Sequence, residues 1–380
     1  MLVSIIVLVD TTLYAALTPL LGRFAHDLHL SSTGAGALVA AYAGGALLGG
    51  LPGGFAAARL GPRRAVLTGL VLMGSASVGF AWADSYSALI VARACQGAGS
   101  AFTWAGAFAW LIASAPRERR GELIGTAMGA AVVGALLGPV IGAVAALAGR
   151  GPVFTGVAAL DGVLAIVTLT IASHAPERPS LAAVRRAARN RQFGAGLGLL
   201  ALASLLEAIL SVISPLHLSA RGWDPTAIGA AWLIAAAVEA VESPFVGRLS
   251  DRRGPLVPSR WALAVGCALS LALALVLAPL PYALLIVLTS ACYGVLFTPS
   301  FALIADGAER AQLPQGLAFG MMNAGWAVGG LAGSAGAGAL AQGLGQRFPY
   351  LIAAAACLLA WALLARRSAR RRLEAEHAVT

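Results

Sequence analysis

Gly54-Phe55-Ala56-Ala57-Ala58-Arg59-Leu60-Gly61 decides the fold, because it recurs in the second half of the chain as Gly247-Arg248-Leu249-Ser250-Asp251-Arg252-Arg253-Gly254. Both copies keep Gly, Arg and Gly at the same spacing, and both follow a long apolar run. A second set repeats in the same way, with Gly121, Gly125, Gly134 and Gly138 recurring as Gly316, Gly320, Gly329 and Gly333. A duplicated set of apolar segments is the architecture of a secondary transporter, whose substrate path lies between the two halves.

The composition indicates that nearly the whole chain lies in a lipid bilayer. Hydrophobic residues make up 59% of the sequence, charged residues 11%, and the mean hydropathy is +0.83. A membrane-spanning helix needs about 20 apolar residues, and backbone polar groups in lipid must bond within the helix. We predict an all-α membrane protein of twelve transmembrane helices in two pseudo-symmetric six-helix bundles, with spans at 3–22, 34–58, 63–82, 86–114, 121–148, 152–173, 193–218, 226–249, 256–279, 281–306, 314–341 and 348–366.

The repeat also predicts the domain organisation. Residues 1–173 form an N-terminal six-helix bundle, 174–192 a cytoplasmic linker, and 193–380 a C-terminal six-helix bundle with a basic cytoplasmic tail. Within the linker, Ser180 is placed to cap a short helix that carries several arginines. That segment is expected either to lie along the inner membrane surface or to form a solvated connection.

The net charge of +10 is placed so that it orients the chain in a membrane. All 26 basic residues are arginines, and most of them fall on one side of the predicted spans. Arginine-rich loops stay in the cytoplasm, so we expect a multi-pass protein of the cell (inner or plasma) membrane with both termini cytoplasmic. The arginines favour the anionic head groups of the lipid bilayer, and no nucleic-acid partner is expected.

The sequence contains no pattern typical of an enzyme, a metal site or a cofactor site. The four cysteines lie inside predicted spans, without the spacing of metal ligands or of a disulfide framework. The phosphate-binding loop of ATP-driven transporters is also absent. We therefore predict no enzymatic activity, no cofactor and no metal, and a monomer that binds a small molecule and protons.

The loop after the second predicted span carries a family resemblance. Gly54, Arg59, Gly61 and Arg63 resemble the Gly-x3-Asp-Arg-x-Gly-x-Arg-Arg signature of the major facilitator superfamily. The chain departs from this signature at Ala58, where the family has Asp, whereas the second copy keeps Asp251. The resemblance implies either a weaker cytoplasmic latch in the first half or a substitute partner for the missing acid. It also implies a gating role for two groups of residues: Gly54, Arg59, Gly61 and Arg63, and Gly247, Asp251, Arg252 and Gly254.

Two more motifs resemble the twelve-helix drug:proton antiporters of that superfamily. Arg93-Ala94-Cys95-Gln96-Gly97 is similar to the family's Arg-x-x-Gln-Gly pattern. An Arg inside a span costs about 2.5–3.5 kcal/mol, so Arg93 is expected either to face a cavity or to snorkel to the nearby membrane surface. In the fifth span, the Gly-x3-Gly-Pro-x2-Gly pattern associated with antiporters and with gating is matched by Gly134, Gly138, Pro139 and Gly142.

Five acidic residues fall inside predicted spans: Asp10, Asp161, Glu207, Glu239 and Glu242. Burial favours the neutral form of a carboxyl group, which couples protonation to conformation. Asp10 and Glu207 occupy near-equivalent positions in the first and seventh spans, which face the central cavity in this superfamily. We predict that Asp10, Glu207 and Glu239 bind protons or a cation, although Asp10 could instead pair helices. Glu242 lies one turn beyond Glu239, and Asp161 is expected to be structural.

Six residues are predicted to line the cavity or contact the substrate: Tyr14, Arg93, Trp104, Tyr293, Asn323 and Trp326. Tyr14 lies four residues after Asp10 and therefore on the same helix face. Aromatic rings would stack on a flat organic molecule or attract a cationic one. Contact with lipid or with the protein core is the alternative for each ring.

Three functions are compatible with these patterns. The leading hypothesis is proton-coupled efflux of a small organic molecule, such as a cationic or lipophilic drug, by alternating access. A proton-linked importer of a small metabolite would use the same acids with the opposite net flux. A non-transporting sensor or scaffold is disfavoured, because it would need a large soluble appendage and the longest predicted loop is short.

Overall fold

A computed structural model describes residues 1–114, 120–171 and 181–377, and within these ranges the regular structure is entirely helical. The first half contains α1 (Leu2–Ala15), a 3₁₀ helix (Thr18–Leu20), α2 (Leu21–Asp27), α3 (Ser32–Leu60), α4 (Pro62–Trp82), α5 (Tyr86–Ser114), α6 (Arg120–Ala148) and α7 (Arg150–Thr170). The second half contains α8 (Leu181–Arg189), α9 (Arg191–Ser219), α10 (Pro225–Arg253), α11 (Leu256–Leu275), α12 (Pro279–Gly294), α13 (Phe297–Arg310), α14 (Gln315–Leu344) and α15 (Phe348–His377). Residues 174–180 of the predicted linker lie outside the described residues.

Each predicted span corresponds to one helix or to two or three consecutive helices, which confirms the all-α membrane fold. Within the described ranges, ten segments are long and apolar enough to cross a membrane. The other two long helices, α5 and α14, have 29 and 30 residues and are rich in glycine. At about 1.5 Å per residue both exceed the thickness of a bilayer core.

The first and tenth spans are interrupted, which the sequence did not predict. After α1 ends at Ala15, the 3₁₀ helix and α2 continue the first span to Asp27. In the tenth span, α12 ends at Gly294 and α13 begins at Phe297. A proline follows each interruption, Pro19 in the first case and Pro299 in the second, and proline removes a hydrogen bond from the preceding turn.

The repeated glycines make equivalent contacts in the two halves. A methyl group added at Gly134 of α6 would overlap the backbone of Leu8 in α1. In the second half, a methyl group at Gly329 of α14 would overlap the backbone of Ala201 in α9. The same kind of contact is made one turn further along by Gly138 and Gly333. The duplicated pattern thus places two helices at backbone contact in each half.

Helices α3 and α14 join the two halves along a line of glycines that we call the α3–α14 seam. A methyl group at Gly50 would lie 3.0 Å from the carbonyl oxygen of Gly320, and one at Gly54 would lie 2.9 Å from that of Gly316. Gly36 approaches the backbone of α14 at the other end of the seam. Close backbone approach of this kind is how small residues hold membrane helices together.

The halves also meet at the end of the bundle that carries α2. A methyl group at Gly22 would lie 2.5 Å from Cβ of Ser219 in α9. At the same end, one at Gly229 of α10 would lie 3.1 Å from the carbonyl oxygen of Pro139 in α6. The two halves are therefore in contact at this end of the bundle as well.

The neighbouring glycines Gly44 and Gly45 test the packing argument. We expect Gly45→Ala to lower the free energy of unfolding by more than about 2 kcal/mol, because its methyl group would overlap the backbone of Ala94 in α5. Gly44→Ala is the matched control, since its methyl group would make only an ordinary 3.7 Å contact with Leu331. Thermal unfolding in detergent measures both, and an equal loss in the two variants would contradict the assigned contact.

The start of α10 has a carboxylate cap. Asp224 Oδ1 accepts hydrogen bonds from the backbone N–H groups of Thr226 (2.7 Å) and Ala227 (2.9 Å). Donation by Ala227 and Thr226 holds the pKa of the exposed Asp224 carboxyl below its ordinary value. Because the folded-state pKa is the lower one, this stabilisation is present above the unfolded pKa and is lost as the pH falls through the folded pKa.

Asp224→Ala should therefore lower the thermal midpoint at pH 7 and lower it less as the pH falls below about 4. Asp224→Asn keeps a side-chain acceptor at the cap and should retain most of the stability without that pH dependence. The measurement is thermal unfolding in detergent at pH 7 and pH 3. An identical loss for Asp224→Ala at both pH values would rule out the charged cap.

Candidate functional site

Two adjoining cavities lie between the halves of the molecule. The Asp10 cavity has a volume of about 180 Å³, and the Glu207 cavity has a volume of about 200 Å³. Helices of both halves form their walls. Four residues line both cavities: Thr11, Tyr14, Phe297 and Trp326. The interrupted first and tenth spans both contribute to the Glu207 cavity, through Thr18 and Phe297.

Asp10, in α1, is buried, and both of its carboxylate oxygens are hydrogen-bonded. Oδ1 accepts hydrogen bonds from Tyr42 Oη (3.1 Å) and Ser100 Oγ (2.7 Å), and Oδ2 accepts one from Thr103 Oγ1 (2.6 Å). The donors come from α3 and α5, in the same half of the chain. Asp10 is thus held in one orientation in the cavity wall.

Tyr14, Tyr42 and Trp326 form an aromatic cluster across the two halves. The ring centroid of Tyr14 lies 5.1 Å from that of Tyr42 and 5.1 Å from that of Trp326. Tyr42 and Trp326 are 6.3 Å apart with an interplanar angle of 86°. These separations fall in the range of favourable aromatic pairs, and all three rings line the Asp10 cavity.

Arg93, in α5, is 2% exposed and lines the Glu207 cavity. Its guanidinium lies 4.7 Å from the ring centroid of Tyr42. Nη1 donates to Gln96 Oε1 (3.0 Å) and to Leu13 O (3.4 Å), and Nη2 donates to Tyr14 O (3.5 Å). Its Nε has no hydrogen-bond partner, and no carboxylate in the described ranges forms an ion pair with it. Arg93 thus faces a cavity and does not snorkel to the surface.

Glu207 and Glu239 form the acidic wall of the same cavity. Glu207, in α9, accepts a hydrogen bond from Ser290 Oγ (3.0 Å) in α12. Glu239, in α10, packs its carboxyl group onto Gly294, where a methyl group would lie 2.6 Å from Glu239 Cδ. Because residue 294 is a glycine and has no side chain, the carboxyl group of Glu239 can lie against its backbone. Both acids belong to the lining of one cavity.

The remaining two acids inside spans lie outside both cavities. Glu242 is half-buried, and its Oε1 has no hydrogen-bond partner. Asp161, in α7, is 1% exposed beside Gly74 of α4, and neither of its oxygens has a partner. Within the described ranges, no three His, Cys, Asp or Glu side chains are grouped as a metal site requires.

The other residues expected at the cavity divide into two groups. Trp104 and Asn323 line the Asp10 cavity, and Asn323 Nδ2 has no hydrogen-bond partner. Tyr293 is buried against α11, where its hydroxyl lies 2.6 Å from Ser270 Oγ. Tyr293 lines neither the Asp10 nor the Glu207 cavity.

The gating motif of the first half lies at one end of the α3–α14 seam. Gly61 joins α3 to α4 with φ of +90°, a conformation that favours glycine. Arg59 is exposed, and Arg63 Nη1 donates to Ile171 O (3.2 Å) at the end of α7. Arg63 thus connects the turn between α3 and α4 to the end of α7, and Gly54 packs the same motif against α14.

The second copy of the motif keeps the turn but lacks the seam contact. Gly254 has φ of +81° between α10 and α11, whereas Gly247 faces open space, unlike Gly54. Asp251 and Arg252 are exposed. In the part of the chain that the structure describes, no arginine lies within ion-pair distance of Asp251.

The glycine–proline motif of α6 lies between α1 and the second half. A methyl group at Gly142 would lie 2.5 Å from Cγ of Pro19, and Gly134 and Gly138 contact the backbone of α1. Pro139 lines the Glu207 cavity on the side where α6 approaches α10. The motif therefore brings a cavity wall and a contact between the halves together.

Several residues of the site were missed by sequence reasoning. Ser100 and Thr103 lie seven and ten residues after Arg93, a spacing that repeats on one helix face and could have identified them. Tyr42, Ser290 and Gly294 carry no such signal, because only the approach of α3 to α1, and of α12 to α9 and α10, gives them a role.

Two sets of membrane helices around cavities that hold acids, an arginine and aromatic rings define a secondary membrane transporter. The chain belongs to the Major Facilitator Superfamily, whose sequence model matches residues 3–314 and, in an overlapping second match, residues 196–379. This confirms the superfamily that the motifs resemble. The chain is therefore a multi-pass membrane protein of a family whose members transport small molecules and are not enzymes.

Two curated relatives are fungal transporters. The MFS-type transporter ppzB of Metarhizium rileyi is 33% identical over 134 residues, which are 33% of this chain and 27% of that protein. The ppzB protein of Metarhizium majus is 33% identical over 96 residues, 25% of this chain and 21% of that protein. The chain spans about a quarter of the length of the curated relatives it matches.

Solved structures show the same fold. A bacterial homolog of the human lysosomal transporter Spinster, in an inward-facing and unoccupied conformation, has a TM-score of 0.71 and 17% identity, covering 96% of this chain and 95% of that chain. The same homolog in an inward-facing and occupied conformation has a TM-score of 0.72 and 16% identity, covering 97% and 95%. At this identity the likeness extends to the fold alone.

The hydrogen bond from Thr103 to Asp10 yields a stability prediction. Thr103→Val should lower the free energy of unfolding by about 1–3 kcal/mol, because it leaves a buried carboxylate oxygen without that donor. Thr168→Val is the matched control, since Thr168 is equally buried and its Oγ1 has no partner. Thermal unfolding in detergent compares the two. A loss at Thr168 as large as at Thr103 would mean that the hydrogen bond is not the cause.

Proposed function

We propose that this protein exports a small organic substrate in exchange for protons by alternating access, with cationic or lipophilic drug-like molecules as the substrate class. One observation carries the proposal. Asp10 of one half, and Glu207 and Glu239 of the other, line adjoining cavities between the halves. None of the three forms an ion pair within the described residues. Their carboxyl groups are therefore available to a proton or to a cationic substrate.

Exchange follows from competition for the same carboxylates. A carboxylate that has bound a proton no longer attracts a cation, so protonation from outside releases a substrate taken up from the cytoplasm or the inner leaflet. Loss of the proton to the cytoplasm restores the charge for the next substrate. In this scheme the halves rock against each other along the α3–α14 seam, as in transporters built from two repeats.

The cavity residues have separate roles in the scheme. The aromatic cluster and Trp104 would contact the flat or cationic part of the substrate, and Asn323 would donate a hydrogen bond. Glu239 and Glu242, one turn apart on α10, would relay protons towards the cytoplasm. The glycine–proline motif in α6, which resembles that of antiporters, favours export over import.

The charge distribution supports one orientation in the cell membrane. The arginines at Arg59, Arg63, Arg252 and in the C-terminal tail would lie in the cytoplasm. Both termini would then be cytoplasmic, and the gating motifs would close the path from that side. The tail arginines would contact anionic lipid heads.

A transport assay on paired variants tests the proposal. In everted vesicles with an imposed pH gradient, the wild type should accumulate a cationic dye against its gradient, whereas Asp10→Asn and Glu207→Gln should lose uphill transport because they cannot exchange a proton. Glu309→Gln is the control, since Glu309 is an exposed acid outside both cavities. Uphill transport retained by both cavity variants would refute the assignment of the acids. Accumulation that requires the reverse gradient would identify an importer.

A further inference from the structure

Arg93 presents a positive charge in the Glu207 cavity that no acid balances by contact. It is 2% exposed, and its polar partners are two backbone carbonyl groups and the side-chain amide of Gln96. Its Nε donates to nothing. A buried charge is unfavourable unless it is paired and hydrogen-bonded. An anionic group that entered the cavity beside Arg93 would supply the missing charged partner.

The same cavity is also lined by two acids. Glu207 and Glu239 line it, and Ser290 is the one hydrogen-bond donor to Glu207 in the part of the chain that the structure describes. No arginine of that part pairs with either acid. The cavity lining also contains an unpaired hydrogen-bond donor, because Trp232 Nε1 is buried without a partner. The cavity lining therefore combines a cationic residue of one half with two acidic residues of the other half, and it includes the unpaired donors Arg93 Nε and Trp232 Nε1.

We propose that the Glu207 cavity binds a zwitterion, whose anionic group contacts Arg93 and whose cationic group contacts Glu207 and Glu239. This inference rests on the proposed function and narrows its substrate class. Arg93 belongs to α5, whereas the two acids belong to α9 and α10. The two charges of the substrate thus bind to different halves of the protein, and a molecule with its charges at opposite ends fits better than one with adjacent charges.

The volume and the aromatic lining of the Glu207 cavity suit a substrate with a small ring. Tyr14 and Trp326 also line this cavity, whose volume is about 200 Å³. Aromatic side chains stack on planar apolar groups. The probe of choice is 4-(aminomethyl)benzoate, a rigid ring with an ammonium at one end and a carboxylate at the other.

Binding of three matched probes to the purified full-length protein tests the inference. The probes are 4-(aminomethyl)benzoate, the cation 4-methylbenzylamine and the anion 4-methylbenzoate, titrated by calorimetry at pH 7. The wild type should bind the zwitterion at least roughly tenfold more tightly than either analogue, since each charged contact adds about one decade. Arg93→Gln should remove the advantage over the cation, and Glu207→Gln should reduce the advantage over the anion. Arg93→Lys, which keeps the positive charge, should retain part of the preference for the zwitterion over the cation.

The outcomes separate this inference from the proposed function. Equal affinity of the wild type for the zwitterion and the cation, or no binding of the zwitterion, overturns the inference. If a folded Arg93→Gln variant still binds the zwitterion more tightly than the cation, the inference is overturned as well. If the Arg93→Gln variant does not fold, the affinities of the wild type and of the Glu207→Gln variant for the three probes still test the inference. Proton-driven uphill transport of a simple cation by the wild type, combined with no preference for the zwitterion, refutes the inference and leaves the proposed function intact.

Discussion

Backbone contact at glycine is the constraint on which the rest of this structure depends. Lipid offers helices no hydrophobic reason to associate, so close packing and polar contacts must hold them together. In this chain the packing is provided by glycines placed at the same spacing in both halves. They bring α6 onto α1, α14 onto α9, and α3 onto α14. The cavities lie in the space that these contacts leave between the halves.

The two halves are alike in architecture and different in electrostatics. The acid of α1 has three side-chain donors from its own half. The acid at the related position of α9 has Ser290 as its one hydrogen-bond donor in the described residues, and Glu239 lines the same cavity. A carboxylate held by several donors is stable in place, whereas two carboxyl groups close together favour a shared proton or a bound cation. The acid with fewer hydrogen-bond donors is therefore the one in the second half.

The sequence predicted those features that depend on local composition and periodicity. Apolar length identified the spans, and the repeated glycines identified the duplication, whose glycines fall at the contacts of α6 with α1 and of α14 with α9. Asp10, Glu207 and Glu239 were recognised because acids are rare in spans. The interruptions near Ala15 and Gly294 were missed, although Pro19 and Pro299 follow them, because proline in a membrane helix produces a kink or a break according to its neighbours.

Other features required tertiary contacts that no single segment encodes. The role of Gly294 appears only when Glu239 of another helix lies against it. The sequence likewise gives no sign that Tyr293 is directed to α11, away from the cavities, or that Asp161 has no partner. Orientation of a side chain around a helix follows from packing between helices, so equal motifs such as those at Gly54 and Gly247 acquire different surroundings.

The separation between the packing glycines and the cavity side chains affects how such a protein evolves. Enlarging a residue in the α3–α14 seam would push two backbones apart, so those positions tolerate little variation. The rings and polar groups of the cavity wall are side chains whose exchange leaves backbone contacts unchanged. Selection for a new compound can therefore act on the wall while the frame is preserved, and substrate range is free to diverge much faster than architecture.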